Sequence, residues 1–463
     1  MDISKEIEKI LMYQYSSLHK QDIKDNIEIN SIIEQVKKGY EYNNYDFSKF
    51  TDLSLRQTSK IRRIKKYELF SIEEVLCIYL KRILDRKFHI KYPNRNDYIH
   101  ALFDIIAALS DMNDFSIYKF DFKDFFNTIS SEYVFYKYIL NVSLERYQLE
   151  LLEKYVNQTK YAYAGLNTSN IICEIIAKHF DDILLSKCSK KGLIFFRRYI
   201  DDGVLIFNKH IEESECHLII NETINEVFYD NNIQVSTHCK TRINESKSNY
   251  ICLRDMKQSA SVNKKNVSSV FDFLGYEFEF ITIYDKNIDK NKYKLNLKYG
   301  VTQKKIDKYN KRINRMINDY KKDNDTELLR HKIKAFTFRT VYQIKKNKLT
   351  IWKNKGFIAN YNELRYRLDM LTKKTDSFLR KAILDSFHKN NIPIPYFLKA
   401  KQEESIYNLK NNMEKNRTLL FVEPIGIETK GLEKMCEQIG ISIANKSYDD
   451  LLREYLIKVY IGF

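Results

Sequence analysis

Tyr199-Ile200-Asp201-Asp202 lies between two short apolar runs, LIFFRRYI (193–200) and VLIF (204–207). Only Asp201, Asp202 and Gly203 separate those runs, which is hairpin spacing. Adjacent carboxylates at the tip of a buried hairpin repel one another and lose solvation, and they persist when a cation neutralises them. The plain alternative is a surface turn, for which Asp-Asp-Gly is ordinary composition. The other Asp pairs, at 181–182 and 449–450, fall inside or just before amphipathic helices and carry no such signal. A further carboxylate, Asp121, sits in the strand-like run SIYKFDFKDFF (116–126), with Asp124 as a near competitor. Two strand-borne carboxylate sites separated by a helix can meet in the middle of one antiparallel sheet. Two Mg²⁺ ions held about 3.5–4 Å apart would then activate an attacking hydroxyl and stabilise a leaving pyrophosphate. Magnesium takes few carboxylates and completes its shell with phosphate oxygens, which suits this inventory, with Mn²⁺ as a substitute.

The elements that must position these residues are legible from spacing. Residues 131–159 read as helical, and IICEIIAKHFDDILL (171–185) as a long amphipathic helix started by Thr168 or Ser169. A helix is expected around 210–229, a strand at 233–239 and an apolar strand run at FDFLGYEFEF (271–280). Residues 1–100 read as mostly helical and basic, with a dense cluster at SKIRRIKK (59–66) and a break at Pro93. Beyond about 300 the expectation is helical and Lys-rich to the end. The expected class is α+β, divided into 1–90, 91–300 and 301–463.

Composition limits the partners. Gly (11) and Pro (4) are far below the roughly 12% of average usage, which would give about 55 in 463 residues. So few breakers argue against an all-β sandwich and against disorder, and favour long helices. The net charge of +17 favours polyanionic partners, nucleic acid or nucleotides first and anionic membrane second. The 34 tyrosines and 28 phenylalanines suit base stacking, or simply fill cores. No apolar run of membrane-spanning length occurs, and the N-terminal stretch is charged and amphipathic, unlike a signal peptide. Seven scattered cysteines without a CxxC pair argue against a disulfide framework or structural zinc and for a reducing cytoplasm.

Asp121-Phe-Lys-Asp-Phe-Phe126 resembles the first catalytic motif of reverse transcriptases, and Tyr199-Ile-Asp-Asp202 resembles their Tyr-x-Asp-Asp motif. Gly165, Ser169 and Glu174 resemble the second motif, Lys240 in VSTHCKT the fourth, and Phe273-Leu-Gly-Tyr276 the fifth, the primer-grip hairpin. YGVTQKKIDKYNKRI (299–313) resembles the helix start that follows it in bacterial members. The likeness covers about 115–315, is weaker over 55–115, and does not reach the last 150 residues. A palm joined to a long helical C-terminal region is similar to the bacterial defence-associated enzymes of the unknown-group and abortive-infection classes, several of which share that arrangement.

The resemblance implies a right-hand palm and fingers around an antiparallel sheet, followed by a helical C-terminal domain. It implies an RNA-directed DNA polymerase acting in anti-phage defence on dNTPs, with RNA, non-coding in some members, and nascent DNA as partners. Asp121 and Asp201 would bind the two metals beside Phe122, with Asp202 supporting them. Phe126 would select dNTP over rNTP, against the alternative of a core phenylalanine. Gly165, Ser169 and Arg95 would contact substrate, Tyr199 would pack beside the primer end, and Leu274 and Gly275 would form the primer grip. Lys240 would lie near the leaving pyrophosphate, or be a solvated surface lysine. Arg62, Arg63, Lys65 and Lys66 are further candidates for gripping the triphosphate. One departure stands out: the family's Gly-x-Pro-x-Gly segment is Tyr161-Ala-Tyr-Ala-Gly165 here. Protein-primed or template-independent synthesis therefore stays open beside RNA-templated synthesis. A non-catalytic nucleic-acid-binding scaffold is the third reading. The amphipathic C-terminal helices suggest a homo-oligomer or a partner protein; no membrane partner is expected.

Overall fold

A computed structural model describes residues 3–18, 24, 27–57, 60–284, 294–346, 349–399 and 406–460. The chain forms two compact units, Met1–Asp255 and Met256–Phe463, and mixes helices with mainly antiparallel sheets.

The first unit opens with helices α1 (Ile3–Ser16) and α2 (Ile29–Glu41). A hairpin follows, β1 (Thr51–Gln57) against β2 (Lys60–Lys66). The basic cluster expected in a helical setting therefore lies on a strand, apart from Ser59, which falls outside the described residues. The alternation of Leu53 and Leu55 in β1 supplies the period-2 pattern that the flanking charges conceal. Helices α3 (Ile72–Phe88) and α4 (Arg95–Ala108) come next, started by the side chains of Ser71 and Asn94, which accept hydrogen bonds from the first-turn amides.

The central sheet contains β3 (Ser116–Asp121), β4 (Leu193–Tyr199), β5 (Asp202–Phe207) and β6 (Asn249–Cys252), in the order β4-β5-β3-β6, antiparallel throughout. Every residue of β3 is buried, including the polar Ser116, Lys119 and Asp121. Alternation along β3 sends Phe120 and Phe122 to one face and Lys119 and Asp121 to the other. The phenylalanine face is covered by α6 (Ser169–Ser189) and α7 (Glu213–Phe228), whose Phe180 and Phe228 join Phe120, Phe122 and Phe125 in one aromatic cluster. Phe120 lies so close over Gly203 that a Cβ there would sit 2.2 Å from the ring. Helix α5 (Arg146–Thr159) precedes α6 and is held by a capping box of Glu145 and Gln148.

Residues 233–239 are not the expected strand. Their backbone is satisfied by side chains distant in sequence instead: the Ser236 and Thr237 amides donate to the Glu132 carboxylate, and the Thr237 carbonyl accepts from the Ser130 hydroxyl. The fourth strand of the sheet is β6, further along the chain.

In the second unit β7 (Val267–Phe273), β8 (Tyr276–Ile283) and β9 (Lys294–Val301) form an antiparallel sheet. Leu274 and Gly275 make its two-residue turn at φ +50° and +88°, a left-handed pair that suits a twisted hairpin. Then come α8 (Gln303–Asp323), α9 (Thr326–Thr337) and α10 (Lys373–Lys389). The expectation of an all-helical C-terminal region is corrected by a second sheet of β10 (Arg339–Lys346), β11 (Leu349–Lys355) and β12 (Thr418–Phe421), in the order β11-β10-β12. Lysines mask the β-branched and aromatic alternation of these strands, which pattern reading needs. Tyr342 and Phe421 of this sheet pack on α11 (Thr429–Gln438) and α12 (Tyr448–Val459) through Leu432, Cys436, Leu451 and Tyr455. Among the described residues no helix is long and apolar enough to cross a membrane. All seven cysteines are buried and free.

Candidate metal centre

β3 ends at Asp121 and β5 begins at Asp202, and the register sets these two residues opposite each other. Tyr199 of β4 pairs with Asp202 on its other side, leaving Ile200 and Asp201 as a two-residue turn. Ile200 adopts φ +60°, a region that β-branched residues rarely enter. Two bonds hold this turn: the Arg198 guanidinium donates to the Ile200 carbonyl at 2.7 Å, and the Phe122 amide donates to the Asp201 carbonyl at 2.9 Å. Carboxylate oxygens of Asp121, Asp201 and Asp202 thereby come within 4.8 Å of one another.

Three carboxylates this close create a field that favours a cation. Burial pushes the Asp202 carboxyl up to about 7, with Asp201 and Asp121 adding to the rise and Lys119 opposing it. Burial and then the charge of Asp121 also raise Asp201, while Lys247 and Arg62 pull it down. Asp121 is buried; its Oδ2 accepts from Lys247 Nζ at 2.7 Å and from Asn244 Nδ2 at 3.1 Å. Lys247 is half-exposed, so this partner can swing into solvent. The donor set, oxygen only and with an excess of negative charge, fits a hard divalent cation.

Behind the turn, Arg198 is buried and fully engaged. Its guanidinium meets Glu174 of α6 at 2.8 Å and Asp181, two turns further along the same helix, also at 2.8 Å. It therefore ties β4 and the acidic turn to the helix that begins at Ser169. Successive arginines on a strand point to opposite faces, so the pair Arg197-Arg198 already required one inward guanidinium. Asn244 and Lys247 offered no comparable signal: they reach Asp121 only because residues 242–244 run beside 121–123, through the Lys123 amide to the Arg242 carbonyl and the Asn244 amide to the Asp121 carbonyl.

The remaining candidates are distributed around this centre. The Phe122 ring is buried in the aromatic cluster, which leaves only its backbone for any ligand. Phe126 is partly exposed at the edge of that core. Tyr199 is half-buried beside the turn. The buried Ser169 hydroxyl donates to the Tyr163 carbonyl at 2.5 Å. Gly165, at φ +106°, meets β2 so closely that a Cβ would lie 2.4 Å from the Lys65 carbonyl, and the Lys65 amide donates to the Ala164 carbonyl at 2.8 Å. The Lys65 ammonium stands over the Tyr163 ring at 4.3 Å. Lys240 is exposed, 5.4 Å from the Tyr161 ring, and lines a cleft of about 490 Å³ with Lys123, Asp124, Thr128, Tyr229, Cys239 and Arg242. Asp124 faces that cleft and does not join the triad. Arg95 is half-buried at the start of α4. Leu274 and Gly275 belong to the second unit, where a Gly275 Cβ would lie 3.1 Å from Lys305 and Tyr361 side-chain atoms.

No family model matches the sequence, and no curated protein matches it. Among solved structures, a telomerase from Candida tropicalis, in complex with a TWJ fragment of telomeric RNA, aligns over 93% of this chain and 68% of its own. The identity is 11% and the TM-score 0.32, a likeness too low to say more about this chain.

Proposed function

We propose that the chain is a DNA polymerase of reverse-transcriptase type, adding dNTPs to a 3′-hydroxyl on an RNA template, in the service of anti-phage defence. The observation that carries this reading is the meeting of Asp121, Asp201 and Asp202 at the end of one antiparallel sheet. In this reading residues 1–90 supply the N-terminal and fingers region, 91–300 the palm and fingers, and 301–463 a thumb-like or C-terminal domain. The defence role rests on the sequence resemblance, and phage plating on cells expressing wild-type or Asp201→Ala protein tests it.

Asp121 and Asp201 would hold two divalent cations, with Asp202 and the Phe122 backbone beside them. Bound there, such ions acidify the attacking hydroxyl and neutralise the leaving pyrophosphate. Lys247, half-exposed, would be free to give up its place on Asp121 to a divalent cation, which would take over neutralising that carboxylate. Arg62, which already acts on Asp201 through its charge, draws the triphosphate toward the acidic turn. Phe126 closes the space beside the sugar against a 2′-hydroxyl. Lys240 supplies a proton or a positive charge to the departing pyrophosphate. Arg198 keeps the turn in place without touching substrate.

A second reading, protein-primed or template-independent synthesis, is favoured by the segment 161–165. Two tyrosine rings 6.0 Å apart stand where the family carries small residues, and β2 is hydrogen-bonded to the same segment.

The test is incorporation of each labelled dNTP by purified protein in Mg²⁺, with and without RNase pretreatment, resolved before and after protease. Loss of synthesis on RNase treatment, and silence of Asp201→Ala, are the expected results. DNA that survives RNase and migrates with the protein until protease is added would transfer the assignment to the second reading. RNA binding without any incorporation would leave only a scaffold.

A further inference from the structure

The chain has one tryptophan, Trp352, and it is 52% exposed on β11. Large aromatic side chains are normally buried because their apolar surface is costly in water. Trp352 instead presents an aromatic ring to solvent on a regular strand, where it can stack on a partner.

The register defines that surface. Trp352 pairs with Gln343, Asn354 with Val341, and Thr350 with Lys345, so these six side chains share one face of the β10–β11 ribbon. The opposite face carries Tyr342 and Ile344, which pack on the core formed with α11 and α12. Trp352 thus stands on the outer face, amid amide and hydroxyl side chains that donate and accept hydrogen bonds. β12 pairs with residues 339–342 of β10, and among the described residues no third strand pairs the ribbon beyond Tyr342.

Charge selects the occupant. From 339 to 355 the sequence contains Arg339, Lys345, Lys346, Lys348, Lys353 and Lys355, and no Asp or Glu. Lys345 does meet Asp449 at 3.3 Å, but both groups are largely exposed, and such pairs exchange readily. A lysine-lined edge also discourages the addition of a protein strand. Cationic side chains flanking a solvent-facing aromatic ring are the chemistry that holds single-stranded nucleic acid, with phosphates on the cations and a base on the ring.

We propose that the outer face of the β10–β11 ribbon binds single-stranded nucleic acid, with a base stacked on Trp352 and the adjacent backbone held by Lys345, which shares that face. The proposal rests on the reading of this chain as one that acts on nucleic acid, and it places in the second unit a contact separate from the acidic triad.

The sole tryptophan is its own reporter. Titrating the full-length protein with oligo-uridylate should quench Trp352 emission saturably, and added salt should restore it. Binding of a labelled oligo-uridylate, followed by anisotropy, should weaken roughly 5- to 100-fold in Trp352→Ala, the range expected when one base–aromatic stack is removed. Trp352→Phe should recover most of that loss, which a misfolded variant would not. Lys345→Gln should lower the slope of log affinity against log salt by about one phosphate's share. Oligonucleotide binding that leaves the emission unchanged, or a Trp352→Ala protein that binds like wild type, would overturn the proposal, as would no binding at all. Incorporation assays on the same preparation separate the two assignments. Nucleotide addition with unmoved emission removes the ribbon and leaves the polymerase. Quenching without nucleotide addition does the opposite.

Discussion

Arg198 is the residue on which the acidic turn depends. Its guanidinium is shared among Glu174, Asp181 and the Ile200 carbonyl, and it holds a left-handed isoleucine that unaided would cost about 1–3 kcal/mol. Arg198→Ala strands two carboxylates in the interior, a loss of roughly 3–5 kcal/mol. For a unit of this size the melting temperature should fall by roughly 6–20 °C; a melt within a degree or two of wild type would show that the network is not structural. Arg198→Lys keeps the charge but cannot reach three partners at once, so Mg²⁺-dependent incorporation should drop more than stability does. Asp202 carries a second expectation. Its carboxyl is raised to about 7, so below that pH a cation entering the triad must displace a proton. Calorimetric titration with Mg²⁺ in buffers of differing ionisation enthalpy should therefore show proton release at pH about 6 and almost none at about 8. Equal release at both values would mean that Asp202 does not gate the site. The acidic pair and its partner Asp121 were readable from type and position alone. Lys247 and Asn244 were not, because their proximity to Asp121 comes from a loop that returns beside β3 and leaves no local pattern.

At the level of elements, helix α9 is locked to α11 and α12 through one histidine. The buried His331 ring contacts the Tyr455 hydroxyl at 2.9 Å and Gln438 at 3.2 Å. Burial holds its pKa below the ordinary 6.5, and Lys334 and Arg330 oppose its charging further, while Gln438 and Glu327 pull the other way. The unfolded chain takes up a proton near 6.5 and the folded one resists it. The contribution of His331 is thus present above that value and is lost as pH falls below it. The melting temperature of the second unit should decline between pH about 7 and 5, and His331→Gln should flatten that decline; an unchanged slope in the variant would assign the acid sensitivity elsewhere. Elements differed in how far local sequence announced them. α6 was expected at 171–185 and spans Ser169–Ser189, because its apolar spacing is that of a helix packed on a sheet. β10 and β11 were read as helix, since lysine tolerates either state and the ribbon's pairing, not its propensity, makes it a strand. The stretch 233–239 erred in the other direction: it has strand composition but spends its hydrogen bonds on Glu132 and Ser130.

For the molecule as a whole, the charge of +17 sets how the proposed nucleic-acid binding should respond to salt. Association with any oligonucleotide should weaken about tenfold or more between roughly 50 and 200 mM salt, through release of condensed counterions. A flat salt profile in the anisotropy titration would mean that the basic residues do not face the ligand. That charge is spread over both units, on the β1–β2 hairpin in the first and the β10–β11 ribbon in the second.

By itself the sequence determined the candidate residues: two acidic side chains at strand ends and a third in the turn between the paired strands, the helix that separates the two sites, and the basic balance. These are local facts, carried by residue type and by periods of two and 3.6. The tertiary structure alone decided which cations neutralise the acidic triad, how Arg198 fastens the turn, and that a Lys-rich segment folds into a ribbon exposing the only tryptophan. Each of those depends on contacts between residues far apart in the chain, and such contacts leave no periodic trace in the sequence that makes them.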